Sequence, residues 1–188
     1  MSDSGAPAPA RVLVGVSGSL GSLTALCRAA DEARRRGAEL WPVLAWEPPG
    51  GELAARRTPA SYVLLDEWQR LARGKLLTAL DDAFGDTGPG VPMRALVARG
   101  TAGRALVESA DRENDLLVVG AGRRSSWHRL CSCSVSRYCV THAVCPVLAV
   151  PPSPLEAELT TAHRRNLWRL RLDTRRLAAA EKTGTRDA

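Results

Sequence analysis

The sequence predicts an α/β domain in which a five-stranded parallel sheet carries helices on both faces, followed by a C-terminal helical extension. Five short runs rich in Val, Leu and Ala alternate with longer segments whose apolar residues recur at helical spacing. Strands that alternate with helices build a mostly parallel sheet, because each helix returns the chain to the end where the previous strand began. The proline cluster at 151–154 then separates this pattern from an Arg-rich segment.

The predicted strands are short and mostly apolar. The second contains Pro42, which argues against an interior position because proline cannot donate a hydrogen bond to a neighbouring strand. The five predicted strands are 11–17, 40–46, 92–98, 115–119 and 146–150.

The predicted helices connect these strands in order. The first runs from Ser22 to Arg36, and Gly37 supplies the residue that ends it. The others cover 61–84, 101–110 and 134–143. The second is the longest, and its spacing predicts one buried apolar stripe. That stripe is made of Leu64, Trp68, Leu71, Leu76, Leu80 and Ala83.

Composition and charge narrow the class of protein. The first ten residues have neither the basic start nor the apolar run of a secretory signal, and prolines interrupt the longest uncharged stretch, so no membrane span is predicted. We therefore expect a cytoplasmic location. The net charge of +6 favours anionic partners in general without selecting one.

We predict three parts along the chain. Residues 1–10 form a disordered N-terminus and 11–150 form the α/β domain. Residues 151–188 form a Pro-rich linker and an Arg-rich amphipathic helical tail, in which eight basic residues accompany five acidic ones between 155 and 188. We expect this helix to pack on its own domain or on a dimer partner. Binding to nucleic acid or to a membrane surface is the less favoured alternative.

A ligand site is predicted where parallel strands end, because open α/β sheets bind ligands at the carboxyl ends of their strands. Loops containing Ser17, Trp46 and Gly120 follow the first, second and fourth strands. The loop after Gly120 leads to a helix beginning at Ser134, and glycines and a helix N-terminus together suit an anion. The alternative is that the glycines only turn the chain and that Ser134 only caps the helix.

The segment from Asp115 to Val150 resembles the C-terminal half of a universal stress protein domain. The matching features are an acidic residue before an apolar strand, the Ser134-Val135-Ser136 sequence, and a Cys-Pro-Val strand beginning at Cys145. Residues 11–25 and 100–114 are similar to earlier parts of that family's domain. The resemblance covers residues 11–150.

The resemblance implies an adenine-nucleotide site with an altered loop. In the family's G-x2-G-x9-G-(S/T) loop, the second and third glycines correspond here to Arg123 and Cys133, and the acidic residue after the first strand corresponds to Ser17. ATP or a related nucleotide is the implied ligand. The implied binding residues are Gly15, Ser17, Ala45, Val119, Gly120, Gly122, Arg123, Cys133, Ser134, Val135 and Ser136.

The resemblance further implies a stress-response binding or signalling module that forms a homodimer through the strand Pro146–Val150. One alternative is an interaction protein that uses its dimer surface and basic tail without a nucleotide; the other is a weak adenine-nucleotide hydrolase. No catalytic residue is predicted, because no histidine or carboxylate can be placed beside Ser134. The cysteines Cys131, Cys133, Cys139 and Cys145 lack the spacing of a zinc site, so no metal is predicted; Cys131 or Cys133 is the candidate redox thiol.

Overall fold

The computed structural model describes residues 9–50, 61–121 and 134–153, and every structural statement below concerns these residues. The chain divides into two units, Met1–Pro152 and Ser153–Ala188. All the elements described here belong to the first unit. Residues 1–8 of the predicted N-terminal segment and the Arg-rich tail lie outside the described residues, whereas Ala10 packs against the core and accepts a hydrogen bond from the Glu39 N–H.

A five-stranded parallel sheet forms the centre of the domain, with the order β3-β2-β1-β4-β5. This confirms the predicted fold class. The strands are β1 Arg11–Gly15, β2 Glu39–Trp46, β3 Leu96–Arg99, β4 Leu116–Gly120 and β5 Val147–Val150. The helices are α1 Leu20–Arg36, α2 Ser61–Phe84, α3 Ala102–Ser109 and α4 Val135–His142, with a 3-10 turn at Gly85–Thr87. Among the described helices, none is long and apolar enough to cross a membrane.

Two hydrophobic clusters lie on opposite faces of the sheet. Because side chains alternate along a strand, Val12 and Val14 of β1 face α1 and α2, whereas Leu13 faces α3 and α4. The first cluster also contains Leu26 of α1, and the second contains Leu106 of α3. Both faces of the sheet are therefore covered, as a parallel sheet requires.

Pro42 lies in an interior strand, between β1 and β3, and is fully buried. Leu40 exchanges hydrogen bonds with Pro92 and Arg94 on the β3 side, and the period of two turns Pro42 to the same side. Regular pairing with β3 resumes only at Val43 opposite Leu96. The missing N–H of Pro42 thus explains why the strand predicted at 92–98 begins at Leu96, preceded by a single bridge at Met93.

The predicted apolar stripe of α2 is correct only in its C-terminal half. Leu76 and Leu80 are buried, together with Ala72 and Ala79. Leu64, Trp68 and Leu71 are exposed, with 57%, 40% and 48% of their surface accessible. The small alanine side chains lie on the buried face, where they let α2 approach the sheet closely. Helical spacing alone does not show which of the two adjacent stripes, alanine or leucine, is the buried one.

The amino edge of the sheet, where the parallel strands begin, is closed by a buried ion pair. The Nε and Nη2 atoms of Arg11 donate to the two carboxylate oxygens of Asp115 at 2.9 and 2.5 Å, and only 6% and 1% of the two side chains are exposed. Arg11 also donates to Asp111 and lies 4.8 Å from the ring centroid of Trp41. This pair joins the first strand to the loop before β4.

Candidate functional site

The carboxyl edge of β1 and β4 is the switch point of this sheet. From β1 the chain passes through α1 on one face, and from β4 it passes towards α4 on the other. The two connections diverge there, and open α/β sheets bind ligands at such a position. The helices α1 and α4 each follow one of these strands, and each is preceded by a serine.

The N-terminus of α1 is closed by its own serines. The Ser19 hydroxyl accepts from the Ser22 backbone N–H at 3.3 Å, and the Ser22 hydroxyl donates to the Ser19 carbonyl at 2.8 Å. The Ser17 backbone N–H donates to the Ser22 hydroxyl at 3.2 Å. These bonds engage the Ser22 N–H and the hydroxyls of Ser19 and Ser22, so those groups are less available to an anion.

The N-terminus of α4 is open by comparison. Ser134 occupies the cap position, but its side chain makes no capping hydrogen bond. Its hydroxyl instead lies 2.7 Å from that of Ser136, and the first turn holds no acidic residue. The first N–H groups of a helix have no partner within it, and the helix dipole favours negative charge there. Residues Ser134, Val135 and Ser136 thus present donors and partial positive charge at one exposed place.

Two of the predicted site glycines make close packing possible at this edge. A Cβ atom on Gly120 would lie 3.1 Å from the carbonyl oxygen of Gly21, so this glycine lets the end of β4 approach the start of α1. A Cβ atom on Gly15 would lie 2.8 Å from Leu106 Cδ1 of α3. A larger residue at position 15 would require the Leu106 side chain to move, and one at position 120 would require the backbone at Gly21 to shift slightly.

The predicted nucleoside side is only partly accessible. Ala45, near the end of β2, is partly exposed. Val135, at the start of α4, is exposed. Val119 is 2% exposed and packs with Leu13 in the cluster beneath α3 and α4. Its side chain therefore belongs to the core, and its part in a ligand site stays a prediction.

The remaining predicted loop residues, Gly122, Arg123 and Cys133, lie outside the described residues, as does Cys131. Ser17 and Gly120 both lie beside the start of α1, where Ser17 bonds Ser22 and Gly120 lies close to Gly21. The contribution of the loop that joins Gly120 to Ser134 stays a prediction.

The described cysteines of α4 and the following turn are structural. Cys139 and Cys145 are both buried. Burial raises the pKa of the Cys139 thiol to about 11 and also raises the pKa of Cys145, so both are protonated and unreactive at neutral pH. In the three described ranges no group of His, Cys, Asp and Glu side chains can hold a metal ion.

Sequence reasoning missed the role of Ser22, whose hydroxyl bonds both the Ser19 carbonyl and the Ser17 N–H. The sequence does contain a hint of this role. Ser22 lies three residues after Ser19, and a polar side chain at that distance from a serine cap often bonds back towards the start of the helix. The difference between the two helix starts depends on side-chain rotamers, which the Ser-x-Ser spacing of 17–19 and 134–136 does not specify.

The family model for the universal stress protein family matches residues 10–151. The chain belongs to the universal stress protein family. The match spans every described strand and helix, and so agrees with the sequence resemblance over 11–150. A search of curated protein sequences gives no significant match.

Solved structures of the family share this fold. A universal stress protein in complex with cAMP is 28% identical, with a TM-score of 0.51; the alignment covers 77% of this chain and 98% of that one. The universal stress protein UspA from Lactobacillus plantarum is 25% identical, with a TM-score of 0.56 and coverage of 75% and 97%. The hypothetical protein MJ0577, at 15% identity and a TM-score of 0.59 over 77% and 96%, shows likeness of fold alone.

Proposed function

We propose that this universal stress protein binds an adenine nucleotide at the switch point and acts as a stress-response binding or signalling module in the cytoplasm. The observation that carries the proposal is the N-terminus of α4, where Ser134 makes no capping hydrogen bond and its hydroxyl lies beside that of Ser136. The 28% identical relative solved with cAMP supports an adenine nucleotide as the ligand class. ATP and cAMP are the two ligands to test.

In this proposal, the phosphate group lies at the α4 start and accepts hydrogen bonds from backbone N–H groups and the two serine hydroxyls. Gly120 keeps the end of β4 close to Gly21, and Ser17 supplies a neutral polar group beside the nucleoside. The protein binds the ligand without transforming it. Hydrolysis of the nucleotide is the alternative outcome of the same experiment.

The test is calorimetric titration of ATP and of cAMP onto protein freed of any copurified ligand, with mass spectrometry of what denaturation releases. Ser134→Ala removes one hydroxyl at the proposed phosphate position and should weaken binding roughly tenfold. Thr141→Ala is the matched control, since this exposed α4 hydroxyl bonds only within the helix in the described residues. Absence of binding by both nucleotides would refute the proposal, whereas ADP or AMP formed from the added nucleotide would indicate hydrolysis.

We also propose that two copies pair through β5. It is an edge strand, and Val140 and Val144 nearby are 62% and 60% exposed. The Val150 carbonyl accepts from Ala121 on the β4 side, so the N–H of Ala149 points away from β4. Ala149→Pro removes that outward N–H and also fixes the local φ angle, whereas Ala149→Val keeps the N–H. Analytical ultracentrifugation should show a monomer for the first variant and a dimer for the second; a dimer in both would refute pairing through β5.

A further inference from the structure

A cavity lies on the opposite face of the sheet from α4. It has a volume of about 360 Å³ and is lined by Trp46, Leu65, Asp66, Gln69, Val97 and Arg99. Trp46 and Val97 pack with the cluster beneath α1 and α2. Side chains alternate along a strand, so Ala98 packs with the cluster on the opposite face, and Ala45 points to that face as well. The sheet therefore separates this cavity from the α4 start, and nothing in the proposed nucleotide site uses its residues.

The walls of the cavity are of two kinds. Trp46, Leu65 and Val97 form an apolar floor, and the first and last of these are partly buried between α2 and the sheet. Arg99 lies opposite Trp46 in the β2–β3 register, with its guanidinium carbon 5.8 Å from the indole centroid. From the other side, α2 contributes Asp66 and, one turn later, Gln69.

The two charges on the rim restrict the ligand. A simple anion would meet Asp66 and a simple cation would meet Arg99, so either charge alone finds one favourable and one unfavourable partner. A molecule that carries both charges satisfies both residues. Its carboxylate suits the forked donors of Arg99, its ammonium suits Asp66, and an apolar body suits the floor. Arg99 takes part in a further interaction within the protein, and a guanidinium with five N–H donors can serve both.

We propose that this cavity binds a free α-amino acid with an apolar side chain. The ammonium group contacts Asp66, the carboxylate contacts Arg99, and the side chain lies against Trp46, Leu65 and Val97. The cavity volume is within the range of small-molecule sites, about 300–1,000 Å³. A nucleotide module with such a second site would respond to amino-acid supply as well as to nucleotide.

The test titrates the full chain with L-leucine, with leucinamide, which lacks the carboxylate, and with 4-methylpentanoate, which lacks the ammonium. Binding is followed by calorimetry and ligand-observed NMR. Leucine should bind at least tenfold more tightly than either analogue, since each analogue loses one charge-assisted contact. Asp66→Asn should weaken leucine binding about tenfold without weakening 4-methylpentanoate, because it removes the carboxylate that repels an anion. Arg99→Gln should weaken leucine binding without weakening leucinamide, because it removes the cation that repels the ammonium group.

Asp82→Asn is the control, because Asp82 is an exposed carboxylate of α2 that does not line the cavity. Ser134→Ala should leave leucine binding unchanged, which separates this site from the nucleotide site. Absence of leucine binding up to its solubility limit would overturn the proposal, as would equal affinity for all three ligands. If Arg99→Gln proves unstable, the ligand series on the unaltered protein together with Asp66→Asn still decides.

Discussion

The two edges of the sheet differ in whether their polar groups are paired. At the amino edge, Arg11 and Asp115 are buried and form an ion pair with each other. At the carboxyl edge, glycines allow close approach, and the start of α4 leaves donors without a capping side chain. The same parallel sheet therefore places its electrostatic stability at one end and its binding capacity at the other. Substitutions at the two ends should affect different measurements.

The largest effect is expected at the amino edge. Asp115→Ala leaves Arg11 buried without its main partner, which should lower the free energy of unfolding by about 3–5 kcal/mol. Urea denaturation followed by circular dichroism measures the loss. The double variant Arg11→Met with Asp115→Leu is the matched control, because it removes both charges and should recover much of that stability. A loss below about 1 kcal/mol for Asp115→Ala would show that the pair is solvated rather than sealed.

A smaller effect distinguishes the two helix starts at the carboxyl edge. Ser19→Ala removes a side-chain cap of α1 and should lower the free energy of unfolding by about 1 kcal/mol. Ser134→Ala should change it by less than about 0.5 kcal/mol, because Ser134 makes no capping bond. The same urea experiment measures both. Equal losses would mean that α4 is capped as firmly as α1 and that its start is not available to an anion.

The smallest effect concerns acid. The hydrogen bond from Arg11 lowers the pKa of Asp111, an exposed carboxyl. A depressed folded-state pKa contributes stability above the unfolded value of about 3.9, and that contribution is lost as the pH falls through the folded value. Asp111→Asn should therefore make the acid loss of stability slightly shallower. Unfolding curves at several acidic pH values measure the slope, with Asp81→Asn on α2 as the control; identical changes in both variants would contradict the role of Arg11.

Much of the fold was predictable because its strongest signals are local. The runs that became β1 and β4 are buried on both faces, and Gly37 ends α1 with a left-handed conformation as expected. The beginning of β3 was not predictable, since it depends on which neighbour Pro42 faces. The buried face of α2 was also misjudged, because its leucine stripe and alanine stripe are adjacent on the same helix.

The candidate site was predictable in place more than in detail. The position of the switch point follows from strand order, and Ser134 and Ser136 follow from the helix that begins there. Whether a serine caps its own helix, as Ser19 does, depends on a rotamer. The sequence predicted that Trp46 lies at a strand end suited to a ligand, but not the cavity that it lines, because Asp66 and Arg99 come from two other elements.

The ion pair at the amino edge also sets a condition on synthesis. Arg11 and Asp115 are 104 residues apart in the chain, and each is the buried partner of the other's charge in the folded protein. Until Asp115 has left the ribosome, the nascent first strand carries a cation that the finished protein buries. At about 5–20 residues per second that interval is roughly 5 to 20 seconds. During it, the emerging chain cannot complete its central strands and is the form most exposed to chaperones and proteases.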